Sequence, residues 1–336
     1  MATGQSDHIA IRRSNWRMPL VLAVLFALSW VLPRFEIISP YLQLLLVSVG
    51  VNIILTTSLN LVNGYMGEFS VGHAGFMAVG AYGAAIMTVS VLPYGDAAQW
   101  LFPLAIIAGG LAAALLGCAI AFLSFKTRGD YLAIVTLAFL MIVKSTLENV
   151  DAVGGARGFL GIERLTTLPW VVAWSAVTVW AIRNLVHSRY GRDIQAVRDD
   201  EIAANQTGVD TQRAKVLAFS ISSFFAGVAG GLYAHHLQFI NPRMFDIVKS
   251  TDMLVMVYLG GIGSLGGSIL GATIYTLLLE LLRPFGAFRM MLMPLMLVLL
   301  MLFRPRGIMG MREFSWLVPS LDRPRTRGRA ATVDVA

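Results

Sequence analysis

Long apolar stretches recur along almost the whole chain, and they limit its possible folds more than any other feature. A helix needs about 20 mainly apolar residues to span a membrane, and stretches near that length follow one another with short polar interruptions. Only 13% of the 336 residues are charged, against about a quarter in soluble domains. The sequence therefore predicts an all-α integral membrane protein with about ten transmembrane helices, near residues 18–33, 40–62, 68–92, 100–124, 130–148, 168–187, 214–238, 251–264, 267–283 and 289–303.

The eighth and tenth segments are shorter than a normal span, so the predicted number of helices is eight to ten. No polar stretch is long enough to bury a core of its own. We therefore expect one transmembrane domain, residues 18–303, between two polar tails, residues 1–17 and 304–336. The single cysteine, Cys118, excludes an intrachain disulfide and any metal site built from several cysteines.

The distribution of basic residues indicates how the chain is oriented. The two tails and the loops at residues 126–128 and 189–215 together carry 17 basic residues, whereas the opposite loops carry about seven. Membrane proteins concentrate Lys and Arg in their cytoplasmic loops. Both tails and the 189–215 loop are therefore predicted to be cytoplasmic. This orientation also accounts for the net charge of +7, so we expect lipid around the chain and no nucleic acid partner.

Two glycine-rich stretches, residues 63–85 and 258–272, have two interpretations. Glycine allows membrane helices to approach closely. Alternatively, glycines break helices at membrane depth and leave backbone groups that line a translocation path, as in many transporters. For the histidine within the first stretch, the competing interpretation is a hydrogen bond that ties a broken helix to its neighbour. The candidates for the path are Gly64, Gly67, His73, Gly260, Gly261 and Gly263.

Sequence motifs for catalysis are absent. The chain contains no G-x-x-x-x-G-K-[ST], H-E-x-x-H or G-x-S-x-G motif. The run GIGSLG at residues 261–266 has the spacing of a dinucleotide fingerprint, but it lies between two membrane segments and follows no strand. We therefore expect no enzymatic activity, no catalytic residues, no cofactor and no metal. Any ATP that drives this protein must be bound by another polypeptide.

The loop at residues 189–215 is the most charged part of the chain, with five basic and five acidic residues. Its apolar side chains recur at roughly helical spacing, and Gly208 follows them as a helix stop. The pattern predicts a short amphipathic helix, whose apolar face favours docking into a groove of another protein. The residues of this face are Ile194, Val197, Ile202 and Ala203.

Part of this loop carries a family resemblance. The run EIAANQTG at residues 201–208 resembles the E-A-A-x-x-x-G motif of ATP-binding-cassette (ABC) importer permeases, with Ile202 where the motif has alanine. Further runs resemble the branched-chain amino acid permeases of the LivM type, among them LNLVNGYMGEFSVGHAGFMAVGAY, TRGDYLAIVTLAF and VYLGGIGSLGGSILGA. The resemblance implies that the loop couples the permease to an ATPase, with coupling candidates Arg192, Arg198, Glu201, Ala203, Ala204 and Gly208.

The resemblance also implies partners and a substrate. A permease of this family is expected to work with two ABC ATPase subunits, a second homologous permease subunit and a periplasmic or surface substrate-binding protein. Its expected substrates are leucine, isoleucine and valine, or related small amino acids. Two alternatives remain open, which are a permease of the same class for urea or short-chain amides, and a secondary transporter that works without an ATPase.

Overall fold

The structure is a computed structural model that describes most of the chain between residues 39 and 286. The described residues are 23–24, 26–31, 34–35, 39–90, 96–125, 131–286, 291, 295, 298–299, 302–303, 307–310 and 313–314. Most of both tails and about half or more of the predicted first and last spans therefore lie outside the described residues.

Ten α-helices make up most of the described region, and eight of them coincide with predicted spans. The other two, α6 and α7, form the charged loop. Within the described residues, the one β contact is an isolated antiparallel bridge between Phe159 and Ile240. The helices are α1 (Pro40–Asn60), α2 (His73–Ser90), α3 (Asp96–Ser124), α4 (Tyr131–Asn149), α5 (Leu168–Val186), α6 (Arg189–Asp199), α7 (Glu201–Gln206), α8 (Thr211–Leu237), α9 (Ile247–Gly260) and α10 (Leu265–Leu281).

Four helices within the described region are long and apolar enough to cross a membrane. They are α1 with the π-helical turn that follows it (Pro40–Met66), most of α3, α4 and α8. Helix α10 is apolar but shorter. The mostly helical, apolar architecture agrees with the predicted class, and the number of ten spans stays a prediction.

Close packing of α2, α3 and α8 forms the centre of the bundle, and glycines make it possible. A methyl group added at Gly80 would lie 2.2 Å from the backbone of Gly227, and one at Gly230 would lie 2.0 Å from the carbonyl oxygen of Met77. On the third helix, a methyl group at Gly109 would lie 2.5 Å from the carbonyl oxygen of Gly80. These helices touch backbone to backbone, as the close-packing interpretation of the glycines predicts.

Glycines also interrupt helices, as the second interpretation requires, and the path that they would line stays a prediction. A π-helical turn, Leu61–Met66, extends α1 and ends at Gly67, which has a left-handed backbone with φ 79°. The next helix, α2, starts only at His73, later than the predicted span at residues 68–92. The second interruption separates α9 from α10, where Gly261 and Gly263 both have positive φ. The position of these breaks relative to the membrane stays a prediction.

Candidate functional site

The charged loop folds into two helices, which corrects the prediction of a single amphipathic helix. Asp200 separates α6 from α7 because its backbone is extended and its side chain caps the second helix. The Asp200 Oδ1 accepts hydrogen bonds from the N–H groups of Ile202 (2.9 Å) and Ala203 (3.0 Å). A carboxylate that satisfies two free N–H groups at a helix start favours a new helix there.

Gly208 ends α7 as predicted, through a specific hydrogen-bond pattern. The Val209 N–H donates to the carbonyl of Ala204 (3.1 Å), and the Gly208 N–H donates to that of Asn205 (3.0 Å). This Schellman pattern requires a left-handed residue, and Gly208 has φ +88°. Among the described residues other than its chain neighbours, no atom lies within 4 Å of the position where the Gly208 Cβ would be, so the backbone conformation is the reason for a glycine here.

The predicted apolar face of the loop divides between two surfaces. Ile194 and Val197 of α6 are buried against the bundle, with exposed fractions of 1% and 5%. Ile202 on α7 is 76% exposed, and Ala203 beside it is exposed too, whereas Ala204 is buried. A large apolar side chain this exposed on a short loop helix is available to a partner.

Lys215, near the start of α8, holds α7 against the bundle. Its Nζ lies 2.9 Å from Glu201 Oε2 on α7 and 2.6 Å from Glu68 Oε1, just after the first helix break. The lysine side chain is 8% exposed and lies over the ring of Phe125, 5.4 Å from its centre. One buried cation therefore joins the loop helix to the segment that follows Gly67. We define these three residues, Glu68, Lys215 and Glu201, as the charge bridge.

Arg198, at the end of α6, contacts both helix breaks. Its Nη1 donates to the carbonyl of Gly64 at 3.5 Å, and the guanidinium also pairs with Asp199 at 3.0 Å. A Cβ at Gly67 would lie 2.5 Å from Arg198 Cγ, and one at Gly263 would lie 3.7 Å from Arg198 Nη1. The loop is thus packed directly against the glycines of the two interruptions.

Asn60 joins the two interruptions to each other. Its Nδ2 donates to the carbonyl of Ser264 (2.9 Å) and to Ser268 Oγ (2.7 Å), and its Oδ1 accepts from the Gly263 N–H (2.9 Å). Gly64 permits this contact, because a Cβ there would lie 2.4 Å from the Gly263 nitrogen. The buried amide supplies partners to backbone groups that a broken helix leaves free.

The predicted coupling residues share one region but differ in what they touch. Arg192, Glu201 and Ala203 are exposed, whereas Ala204 is buried. Arg198 is half-buried against the first break, and Glu201 belongs to the charge bridge. The described structure therefore leaves Arg192 and Ala203 as the predicted residues whose side chains are most open to a partner.

Most of the predicted path residues lie at this end of the bundle. Gly64, Gly67 and Gly263 meet at Arg198, and Gly260 packs on α10, where an added Cβ would lie 1.9 Å from the carbonyl oxygen of Gly267. His73 is 3% exposed, and its Nε2 lies 2.9 Å from Ser58 Oγ on α1. That hydrogen bond ties the start of α2 to its neighbour, as the competing interpretation of this histidine states.

The sequence reasoning missed Glu68, Lys215 and Asn60. Each is a polar or charged residue within or beside an apolar segment, and such residues are costly in a membrane unless they have partners. That cost is the signal by which the sequence could have revealed these residues. The sequence could not reveal their partners, because each of these contacts joins residues far apart in the chain.

Comparison with known proteins identifies the family. The family model described as "Branched-chain amino acid transport system / permease component" matches residues 41–303. The chain is 34% identical to the high-affinity branched-chain amino acid transport system permease protein LivM of Escherichia coli K12, over 77% of this chain and 68% of that protein. It is 24% identical to the LivH permease of the same strain, over 75% of this chain and 89% of that protein.

A third relative is the BraD permease of Pseudomonas aeruginosa, which is 29% identical over 43% of this chain and 50% of that protein. No solved structure matches the chain. The match to the family model extends from the start of α1 beyond the end of α10, and so covers the charge bridge and both helix breaks. The chain is therefore a membrane protein that belongs to the family of permease components of branched-chain amino acid transport systems.

Proposed function

We propose that this chain is a transmembrane permease subunit of an ABC importer that moves leucine, isoleucine and valine into the cell. The names of the relatives support this substrate, and the absence of a P-loop from the sequence supports ATP hydrolysis by separate subunits. One structural observation carries the coupling role. Helix α7 exposes Ile202 on one side and is joined to the segment after the first helix break, through Lys215, on the other.

The mechanism that this arrangement supports is mechanical. An ATPase subunit that binds α7 and moves on ATP hydrolysis displaces Glu201, and the charge bridge transmits the displacement to Glu68. Arg198 transmits the movement of α6 to the carbonyl of Gly64 and, through the Asn60 contacts, to the second break. Both interruptions then shift together, and the helices beyond them alternate access to the path. The chain itself forms and breaks no covalent bond.

The proposal includes an arrangement in the membrane. Ten spans within residues 18–303 place both tails and the coupling loop, residues 189–215, in the cytoplasm, across the bacterial inner membrane. The partners are two ABC ATPases, a second permease homologous to this one, and a periplasmic or surface substrate-binding protein. The relatives LivM and LivH, which are two permeases that both resemble this chain, support a permease pair.

Uptake into reconstituted vesicles tests the transport class. With both permeases, the ATPases and the binding protein present, leucine uptake is expected to require ATP. It is expected to fall to background when the catalytic site of the ATPases is inactivated. Gradient-driven uptake by this chain alone would instead identify a secondary transporter. Uptake of urea or a short-chain amide in preference to leucine would correct the substrate.

The docking surface is tested with Ile202→Glu. The change adds a charge to an apolar side chain that contributes little to the chain's own core, so we expect the fold to be kept and co-purification of the ATPase to fall at least tenfold. Leu160→Glu is the matched control, because Leu160 is 70% exposed but lies near the opposite end of α8, beside the Phe159–Ile240 bridge. If both variants retain the ATPase equally, Ile202 is not part of the docking surface.

A further inference from the structure

A groove of about 960 Å³ opens at the end of the bundle opposite to the charged loop. Its walls come from the first half of α1, the last turns of α8, the first half of α9 and the second half of α10. Helix α8 runs from the charged loop to the groove. Its 27 residues place the two regions about 40 Å apart along the helix. The volume lies within the range of about 300–1,000 Å³ that is usual for small-molecule sites.

The groove reaches deep into the bundle. Of its lining residues, Tyr41 is 46% exposed and marks the mouth, whereas Asn52 is 8% exposed and marks the floor, where the Asn52 Nδ2 donates to Thr276 Oγ1 at 2.9 Å. Along α1 these two residues are separated by about 16 Å, which is about half of the 30 Å thickness of the hydrocarbon layer. A solute bound at the floor would therefore lie well inside the membrane domain.

A cation and an anion face the groove between the mouth and the floor. Lys249 Nζ lies 5.5 Å from the centre of the Tyr233 ring, and no salt bridge within the described residues includes it. Asp252, on the same helix, accepts a hydrogen bond from the hydroxyl of Tyr275. Charged groups inside a membrane domain are costly and mark functional positions. Lys249 and Asp252 both line the groove.

A second pair of opposite charges lies at the mouth. Arg283 Nη1 donates to Glu280 Oε1 at 3.1 Å, and the hydroxyl of Tyr41 donates to the same carboxylate. Arg283, Glu280 and Tyr41 all line the groove. The opening therefore carries no excess of either sign, and a solute with one positive and one negative group meets complementary charges at the mouth and again further in.

Much of the remaining lining of the groove is apolar, with Leu44, Val51, Val255 and Leu279, and polar side chains such as Ser48, His236 and Thr251 lie beside them. A solute that carries only a negative charge would be repelled by Asp252. A solute that carries only a positive charge would be repelled by Lys249. A zwitterion with an aliphatic side chain offers a group of opposite sign to each of the two charges and buries its apolar part against this wall. An amino acid of the branched-chain type has this chemistry.

We propose that this groove binds the transported amino acid as a zwitterion, an inference that rests on the proposed function. Lys249 binds the carboxylate, Asp252 binds the ammonium group, and the apolar wall contacts the aliphatic side chain. The groove thus receives the solute at the end of the bundle away from the ATPases. The helix breaks beside Arg198 control its exit at the other end.

Substitution of the two charges tests the site in the complete reconstituted importer. Lys249→Met and Asp252→Asn are expected to lower leucine uptake at limiting substrate at least tenfold, while each variant still assembles with its partner subunits. Lys249→Arg keeps the positive charge and is expected to retain most of the uptake. Arg243→Met is the matched control, because Arg243 is a 75% exposed cation at the same end of the bundle that does not line the groove.

Cysteine accessibility gives a second readout that does not depend on the charged side chains. In a Cys118→Ser background, which removes the only native cysteine, Thr251→Cys places a thiol in the groove. A charged, water-soluble thiol reagent is expected to modify it, and turnover with leucine is expected to slow the modification. Leu160→Cys, outside the groove, is expected to react at the same rate with and without leucine.

The outcomes separate this proposal from the function on which it rests. Wild-type uptake of leucine by both Lys249→Met and Asp252→Asn would overturn the groove and leave the importer intact. A Thr251→Cys thiol that the reagent cannot reach would also overturn it, because the groove would then be filled by lipid. A wild-type complex that takes up no amino acid would overturn both.

Discussion

Lys215→Glu is expected to reduce ATP-driven uptake at least tenfold and to detach α7 from the bundle. The change replaces the shared cation of the charge bridge with a third carboxylate beside Glu68 and Glu201. Removal of one partner of a fully buried ion pair costs about 3–5 kcal/mol. Here Glu201 is 53% exposed and Glu68 is 23% exposed, so water screens part of the repulsion, and we expect a cost of about 1–3 kcal/mol. The expected loss of uptake is larger than this cost alone implies, because the bridge is also the route of coupling.

Vesicle uptake and limited proteolysis of the 189–215 loop measure the two effects. Arg213→Glu is the control at the surface, because Arg213 is 89% exposed and pairs with Asp210 in water, where such pairs contribute about 0–1 kcal/mol. Lys215→Arg keeps the charge and is expected to stay near wild type. Combining Lys215→Glu with Glu68→Lys restores a pair of opposite sign and is expected to recover part of the uptake. Full uptake by Lys215→Glu alone would show that the charge bridge does not couple the loop to the breaks.

Gly80→Ala is expected to destabilise the bundle by about 1–3 kcal/mol, the usual cost of overpacking a core. The added methyl group would lie 2.2 Å from both the Cα and the carbonyl oxygen of Gly227. Backbone atoms cannot rotate away, so α2 and α8 must separate. Because α3 packs against the same contact through Gly109, the separation opens the centre of the bundle. We expect a lower melting temperature and a lower yield of monodisperse protein in detergent.

Gly83→Ala is the matched control for this prediction. Gly83 lies on the same helix, and outside that helix the one described atom within 4 Å of a methyl group there would be the Cα of Gly109, at 3.3 Å. Both variants gain helix propensity equally, so the difference between their melting temperatures isolates the close approach to Gly227. Equal melting temperatures would mean that α2 and α8 are not packed backbone to backbone.

Local features of the sequence predicted most of the helices and much of the loop. The bounds of α1, α4 and α5 lie within a few residues of the predicted spans, because hydropathy and helix stops are properties of neighbouring residues. Gly208 was predicted as the end of the loop helix for the same reason. The break at Asp200 was missed because an aspartate in a charged run can remain on the helix surface or cap a new helix, and the backbone conformation decides between them.

The candidate site was predicted only in part. The sequence selected the loop and both glycine stretches, but it did not indicate that Arg198 contacts Gly64 or that Asn60 joins the two breaks. The groove was not predicted either. Its charges lie on α9, on α10 and just after α10, and an ionisable residue near the end of an apolar segment resembles an ordinary flanking residue until the opposite wall is known.

The amino-acid sequence by itself determined that this chain is an apolar, helical membrane protein with one charged loop, and its motifs pointed to the permease family. Burial of apolar side chains depends on composition and periodicity, which short stretches of sequence already contain. Only the tertiary structure decided that Lys215 pairs with Glu68 and Glu201, and that Lys249 and Asp252 face a common groove. Those pairings depend on distances of a few ångströms between helices, which are set when the glycines allow the helices to pack.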